Sequence, residues 1–201
     1  MSVAFAPDGR TLASGGGDSS VLIWDLTGRM RDGRLQTARW SPAQLEQRWK
    51  DLASNDGPRI VQAIWDLVAS PEQSVPMLRE RIKPVQAADA QRVTKLIRDL
   101  DNEDFETRTR AMEELTKIAE GAEALLRKKL ADRPSLEVRQ RIRQVLEIPA
   151  SAEQLRVQRA IQVLEYIGTA KAKECLRTLA QGVPEARVTT QAKEALKRLA
   201  K

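Results

Sequence analysis

The sequence predicts a mainly α fold, an array of helical pairs preceded by a short antiparallel β segment. Three observations carry this reading. Residues 3–26 alternate apolar runs with turn residues, whereas from residue 42 onward the apolar side chains recur at helical spacing. Aromatic residues are only 3% of the 201, and four of those seven are Trp; a core low in aromatics and rich in Ala and Leu is usually made of closely packed helices. A pattern with a small or apolar residue four positions before Leu recurs through the second half, at Ala111–Leu115, Ile142–Leu146, Ala160–Leu164 and Ala192–Leu196.

The β segment occupies residues 1–28. Val3 and Phe5 lead into Pro7-Asp8-Gly9, a turn in which Pro presets φ, Asp bonds its own backbone and Gly tolerates positive φ. Thr11–Ser14 reads as a second strand, the run Gly15-Gly16-Gly17-Asp18 as a turn, and Val21–Leu26 as a third strand rich in β-branched and aromatic residues. The glycine run is not a phosphate loop, because no Gly-Lys-Ser/Thr follows it and Asp18 would repel phosphate.

These residues resemble the WD40 repeat family. The matching elements are Val3-x-Phe5-x-Pro7-Asp8-Gly9, Leu12-Ala13-Ser14-Gly15, Asp18, and Val21-x-Ile23-Trp24-Asp25. The resemblance implies three strands of a final propeller blade and a structural network of Ser14, Asp18 and Trp24; its fourth member, a His, is absent, since the chain contains none. It further implies that the chain is the C-terminal part of a longer protein, whose missing blades would cover the strands.

Residues 29–42 hold two glycines in or beside them, several arginines and no apolar period, and are expected to be a linker that Leu35 and Trp40 pin to one neighbour. The helical domain is expected over 43–201. Ser41-Pro42 supplies an N-cap and a first-turn Pro, Ser70-Pro71 starts a third helix running to Ile82, and Asp89 caps the helix carrying Val93, Leu96, Ile97 and Leu100. The stretch "RAIQVLEYIGTAKAKECLRTLA", with Gly168 as a left-handed cap between two helices, resembles the HEAT-repeat family in its short bacterial form. Such an array buries each pair against the next and presents a concave surface to an extended partner. Blade plus helical tail is similar to large WD40 proteins of planctomycete-type bacteria, some of which fuse the propeller to a kinase or a sigma factor.

The absence of His removes the commonest general base and metal ligand, and with Cys175 alone no intrachain disulfide can form. Cys175 sits on an expected helix face and reads as a buried structural thiol. Asp99, Asp101, Glu103 and Asp104 lack the Gly and Glu of a calcium loop and read instead as a helix start. Trp40, Trp49 and Trp65 beside Asp51 and Asp66 could form a base-excision pocket, but Trp49 and Trp65 each sit in an apolar stripe and read instead as core anchors. No catalytic, cofactor-binding or metal-ligating residue is therefore assigned.

The net charge is +6, from 34 basic and 28 acidic residues, and the densest basic stretch holds Arg127, Lys128, Lys129, Arg133, Arg139, Arg141 and Arg143. The expected function is a non-enzymatic scaffold or regulatory module that binds protein partners, the missing blades of its parent chain among them. The alternative is a nucleic-acid-binding helical module using the 127–143 surface. Neither a membrane span nor a signal peptide is visible, and the expected location is cytoplasmic.

Overall fold

A computed structural model describes residues 2–200. Among the described residues the chain is mainly α, with ten helices after a short antiparallel β segment. Strands β1 (Ser2–Phe5), β2 (Thr11–Gly15) and β3 (Val21–Asp25) pair in that order, and Leu12 lies opposite both Phe5 and Trp24. The turns close as their residues dictate: the Arg10 N–H donates to Asp8 Oδ1, and both the N–H and hydroxyl of Ser20 donate to Asp18 Oδ1.

The segment expected to be a plain linker contains a second hairpin, β4 (Met30–Arg31) with β5 (Arg34–Leu35). Asp32 and Gly33 at its tip have φ of 47° and 73°. Two consecutive positive φ values are what a tight two-residue hairpin turn demands, and Asp-Gly meets that demand. The strands are two residues each, too short to show an alternating pattern.

The helices are α1 (Pro42–Asp51), α2 (Gly57–Val68), α3 (Pro71–Arg81), α4 (Ala90–Asp99), α5 (Phe105–Lys117), α6 (Ala119–Ala131), α7 (Leu136–Glu147), α8 (Ala152–Ile167), α9 (Ala170–Leu179) and α10 (Arg187–Arg198). Ser41 and Ser151 form full capping boxes with Gln44 and Gln154, while Asp56, Asp89 and Asp104 cap α2, α4 and α5. Gly168 ends α8 at φ 62° in the left-handed conformation expected of it. Ser70 occupies the N-cap position of α3 without capping it; its hydroxyl donates back to the Asp66 and Leu67 carbonyls, because φ −127° and ψ 54° turn it away from the new helix.

The helical region, expected to stack as one array over 43–201, contains two hydrophobic cores. The first joins α1–α3 to α8–α10 through Trp49, Leu52, Leu67, Leu78, Leu164 and Leu176. The second belongs to α4–α7 and centres on Val93, Leu100, Leu115, Leu126 and Ile142. The chain thus leaves the first core after α3, completes the second, and returns through α8.

An internal repeat accompanies this path. At a constant offset of 48 residues, Asp51-Leu52 matches Asp99-Leu100, Asp56 matches Asp104, Ala63 and Leu67 match Ala111 and Leu115, and Leu78-Arg79 matches Leu126-Arg127. At an offset of 18, Gln140-Arg141 and Gln144-Val145-Leu146-Glu147 of α7 match Gln158-Arg159 and Gln162-Val163-Leu164-Glu165 of α8. The geometry repeats with the sequence. Leu52 and Leu100 are both fully buried C-caps with nearly equal dihedrals (φ −60°, ψ −21° and φ −64°, ψ −22°). Arg159 Nη1 donates to the Leu52 carbonyl at 2.5 Å, and Arg141 Nη1 donates to the Leu100 carbonyl at 2.7 Å. Two four-helix units result: unit A is α1, α2, α3 and α8, and unit B is α4, α5, α6 and α7, inserted between the third and fourth helices of A.

An extended strap, residues 82–89, connects the units and is held on both sides. The Ala88 N–H donates to the Gly121 carbonyl, and the Val85 carbonyl accepts from the Val183 N–H, each at 2.9 Å. Gly121 and Gly182 permit the close approach. A Cβ on Gly121 would lie 2.5 Å from the Gln86 carbonyl oxygen, and one on Gly182 would lie 3.0 Å from both Val85 N and O.

Candidate interaction surfaces

The β segment exposes its apolar side chains on both faces. Val3, Phe5, Val21, Leu22, Ile23 and Trp24 keep 50–70% of their surface in water. Because successive strand residues point to opposite faces, Val21 and Ile23 share one face, Leu22 and Trp24 the other, and neither is covered. Burying such a side chain completely stabilises by about 1.5–3 kcal/mol, so roughly half of that remains unrealised at each position. β1 and β3 are also open edges with free backbone donors and acceptors. Within the sheet, Trp24 Nε1 donates to Ser14 Oγ at 2.8 Å, while Asp18 serves its own turn through Ser20. Those turn bonds, first the Ser20 hydroxyl and then its N–H, hold the Asp18 carboxyl below the usual range.

The sheet is tied to unit A by a clamp around Asp66 of α2. Its side chain is 3% exposed and accepts from Arg29 Nε at 2.8 Å and Nη2 at 2.5 Å, Arg48 Nε at 3.0 Å and Gln62 Nε2 at 2.8 Å. Trp40 completes the clamp. The Arg48 and Arg29 guanidiniums lie 4.3 and 5.0 Å from its ring centroid, and its Nε1 donates to the Asp66 carbonyl. Gln73 braces the Trp40 backbone from both sides, taking its N–H and donating to its carbonyl. Upstream, Asp25 accepts from the Thr27 N–H and hydroxyl and from the Met30 N–H. Burial alone would raise the Asp25 carboxyl; the Met30 and Thr27 hydrogen bonds outweigh it and hold the carboxyl below its ordinary value.

The three tryptophans near acidic residues therefore occupy different settings. Trp65 is buried and stacks on Tyr166 with centroids 4.9 Å apart, Trp49 is buried in the first core, and Trp40 is the clamp's aromatic plate. Among the described residues the Asp51 side chain accepts only from exposed Gln47.

The basic stretch divides. Arg127 pairs with Glu123, Arg139 donates to the Pro134 carbonyl, and Arg141 bonds both Leu100 O and Glu137. Of the three, Arg141 joins α7 to the end of α4, while Arg127 and Arg139 bond locally. Arg133 sits at positive φ in the α6–α7 turn and Arg143 is exposed on α7. Lys128 and Lys129 stand on the rim of a groove of about 610 Å³ between α4, α6 and the start of α7, floored by Val93, Ile97, Leu125 and Val138. A second cavity, about 440 Å³, lies where the strap, α6, α8 and α10 meet, with Ile118 and Val157 inside and Arg81, Lys83, Lys117 and Arg187 around it.

Cys175 is buried; burial pushes its thiol up, with Arg79 and Lys83 only partly opposing, so it is not a poised nucleophile. Asp104 caps α5 through Thr107, and the acids before it gather no metal site: among the described residues no group of three His, Cys, Asp or Glu is placed to hold an ion. No helix among them is long and apolar enough to cross a membrane.

A scan against protein-family models and searches of curated proteins and of solved structures find no match to this chain. The resemblances to WD40 and HEAT repeats rest on the residues quoted above.

Proposed function

We propose that the chain is a non-enzymatic protein–protein interaction module, in which the N-terminal sheet docks against further β-sheet and the helical units anchor it. The observation that carries this reading is the sheet's two uncovered apolar faces. A three-stranded sheet with one covered face is a common surface element, whereas one with neither face covered needs neighbours on both sides. The WD40-like residues fit neighbours of one kind, the adjoining blades of a propeller in which residues 2–25 supply three strands. The clamp at Asp66 supports the same reading, because it fixes the direction in which the sheet leaves unit A.

A nucleic-acid role for residues 127–143 has less support. Arg141 is engaged by the end of α4, Arg127 and Arg139 have local partners, and no aromatic residue interleaves with the basic ones to stack bases.

Hydrogen exchange tests the proposal. In the isolated chain, amides of residues 2–25 should exchange quickly while those of α2 and α8 stay protected. In the assembly purified from its native cells through a tag on the C-terminus, the same strand amides should become protected. Equal exchange in both states would overturn the docking role.

A further inference from the structure

The internal repeat provides a standard, since one structural position is filled in unit A and open in unit B. In unit A, Trp49 occupies the space between α1, α3 and α8. The Arg81 and Arg156 guanidiniums each lie 5.2 Å from its ring centroid, and Arg81 also pairs with Glu46, one turn before Trp49, at 2.6 Å. At the 48-residue offset, Trp49 becomes Ile97, Glu46 becomes Thr94 and Arg81 becomes Lys129; at the 18-residue offset, Arg156 becomes Val138. These four replacements all line the 610 Å³ groove of unit B. The indole, its carboxylate neighbour and one stacking cation are gone. The equivalent of the other cation, Lys129, remains on the rim with no ion-pair partner among the described residues.

We infer that the groove of unit B is a binding site for an acidic peptide segment that inserts an aromatic side chain over Ile97 and places a carboxylate against Lys129. Unit A shows the chemistry that satisfies this position, a ring packed on the floor and a carboxylate on the basic residue of the third helix. The volume lies within the range of built ligand sites, about 300–1,000 Å³. The charges facing the groove are Arg98, Lys128 and Lys129 against Asp101 and Asp132. Three cations against two carboxylates leave the rim with a net charge of +1, and Lys129, on the groove's own wall, has no ion-pair partner among the described residues, which favours an acidic partner. The inference rests on unit B alone and stands or falls separately from the docking role of the sheet.

The test uses the whole chain and a panel of blocked peptides with Glu three residues before Trp, Phe, Tyr or Ala, followed by fluorescence anisotropy. Aromatic members should bind saturably and the Ala member should not. The double variant T94E/I97W rebuilds in unit B the plug that unit A already carries, so it should fold while losing affinity by about tenfold or more. K129E should lose a comparable factor with thermal unfolding unchanged. Three outcomes would overturn the inference: no saturable binding by any aromatic member, binding that survives T94E/I97W in a folded protein, or a single-stranded oligonucleotide competing the peptides away through the same lysines.

Discussion

Removing the Asp66 carboxylate is the most direct perturbation of the contact between sheet and helices. D66A deletes the acceptor for two guanidiniums and one amide, four hydrogen bonds in all. Breaking a fully buried ion pair costs about 3–5 kcal/mol, because the surviving charge stays desolvated. Here the surviving arginines are 24% and 22% exposed and can turn toward water, which lowers the cost to about 2–3 kcal/mol. The loss should appear in two assays. The urea midpoint should fall by an amount equivalent to that range, and trypsin should cut at Arg29, Arg31, Arg34 or Arg39 well before any site in α2. D51A is the control, since among the described residues the Asp51 side chain accepts only one exposed amide bond. A D66A protein within about 0.5 kcal/mol of the parent, the range of ordinary surface substitutions, with unchanged tryptic cleavage would refute the clamp.

Two further expectations concern backbone and protonation. G121A and G182A should each destabilise by about 1–3 kcal/mol in urea unfolding, because the added methyl meets strap backbone, whereas G57A, with nothing within 4 Å at the start of α2, should be neutral or slightly stabilising. For Asp25 the folded pKa lies below the unfolded value of about 3.9, so its hydrogen bonds stabilise fully above that value and are lost as pH falls through the lower, folded one. In an NMR titration the Thr27 amide should therefore report a midpoint below 3.9 and become insensitive to acid in D25N; a midpoint at or above 3.9 contradicts the assignment.

The parts of this fold that were legible in the sequence are those decided locally. Caps at Ser41, Asp89 and Gly168 and the three strands depend on residues within a turn of one another, and the structure places them where local chemistry requires. The parts that were not legible depend on distant partners. Asp66 enters the sequence analysis only as an acid beside the tryptophans, and its chief partner, Arg29, lies 37 residues away. The 127–143 stretch reads as a solvated face with local ion pairs, which Arg127 matches through Glu123, but the carbonyl that takes Arg141 belongs to a helix end 41 residues earlier. The recurrence at 31 and 32 residues relates α5 to α7 and α8 to α10, pairs that do pack together. It conceals the 48-residue repeat, whose matched residues are scattered, a few at helix boundaries (Asp51-Leu52 with Asp99-Leu100, Asp56 with Asp104) and a few in the apolar stripe (Ala63, Leu67 and Leu78 with Ala111, Leu115 and Leu126).

The nested path explains why the two copies have diverged in the groove. Unit A must hold together two chain segments separated by the whole of unit B, so its contacts across the gap have to be strong. Arg159 reaches from α8 to the Leu52 and Ser54 carbonyls, and Arg156 of the same helix lies over Trp49, both more than 100 residues apart in sequence. Filling the position with an indole adds buried area and a cation–π contact at the seam where chain continuity provides no help. Unit B is continuous from α4 to α7, and its fourth helix follows the third after four residues. It keeps the capping arginine, which the shared helix geometry needs, and omits the plug, which closure of a local unit does not. The open groove lies in the copy whose own closure does not require it to be filled.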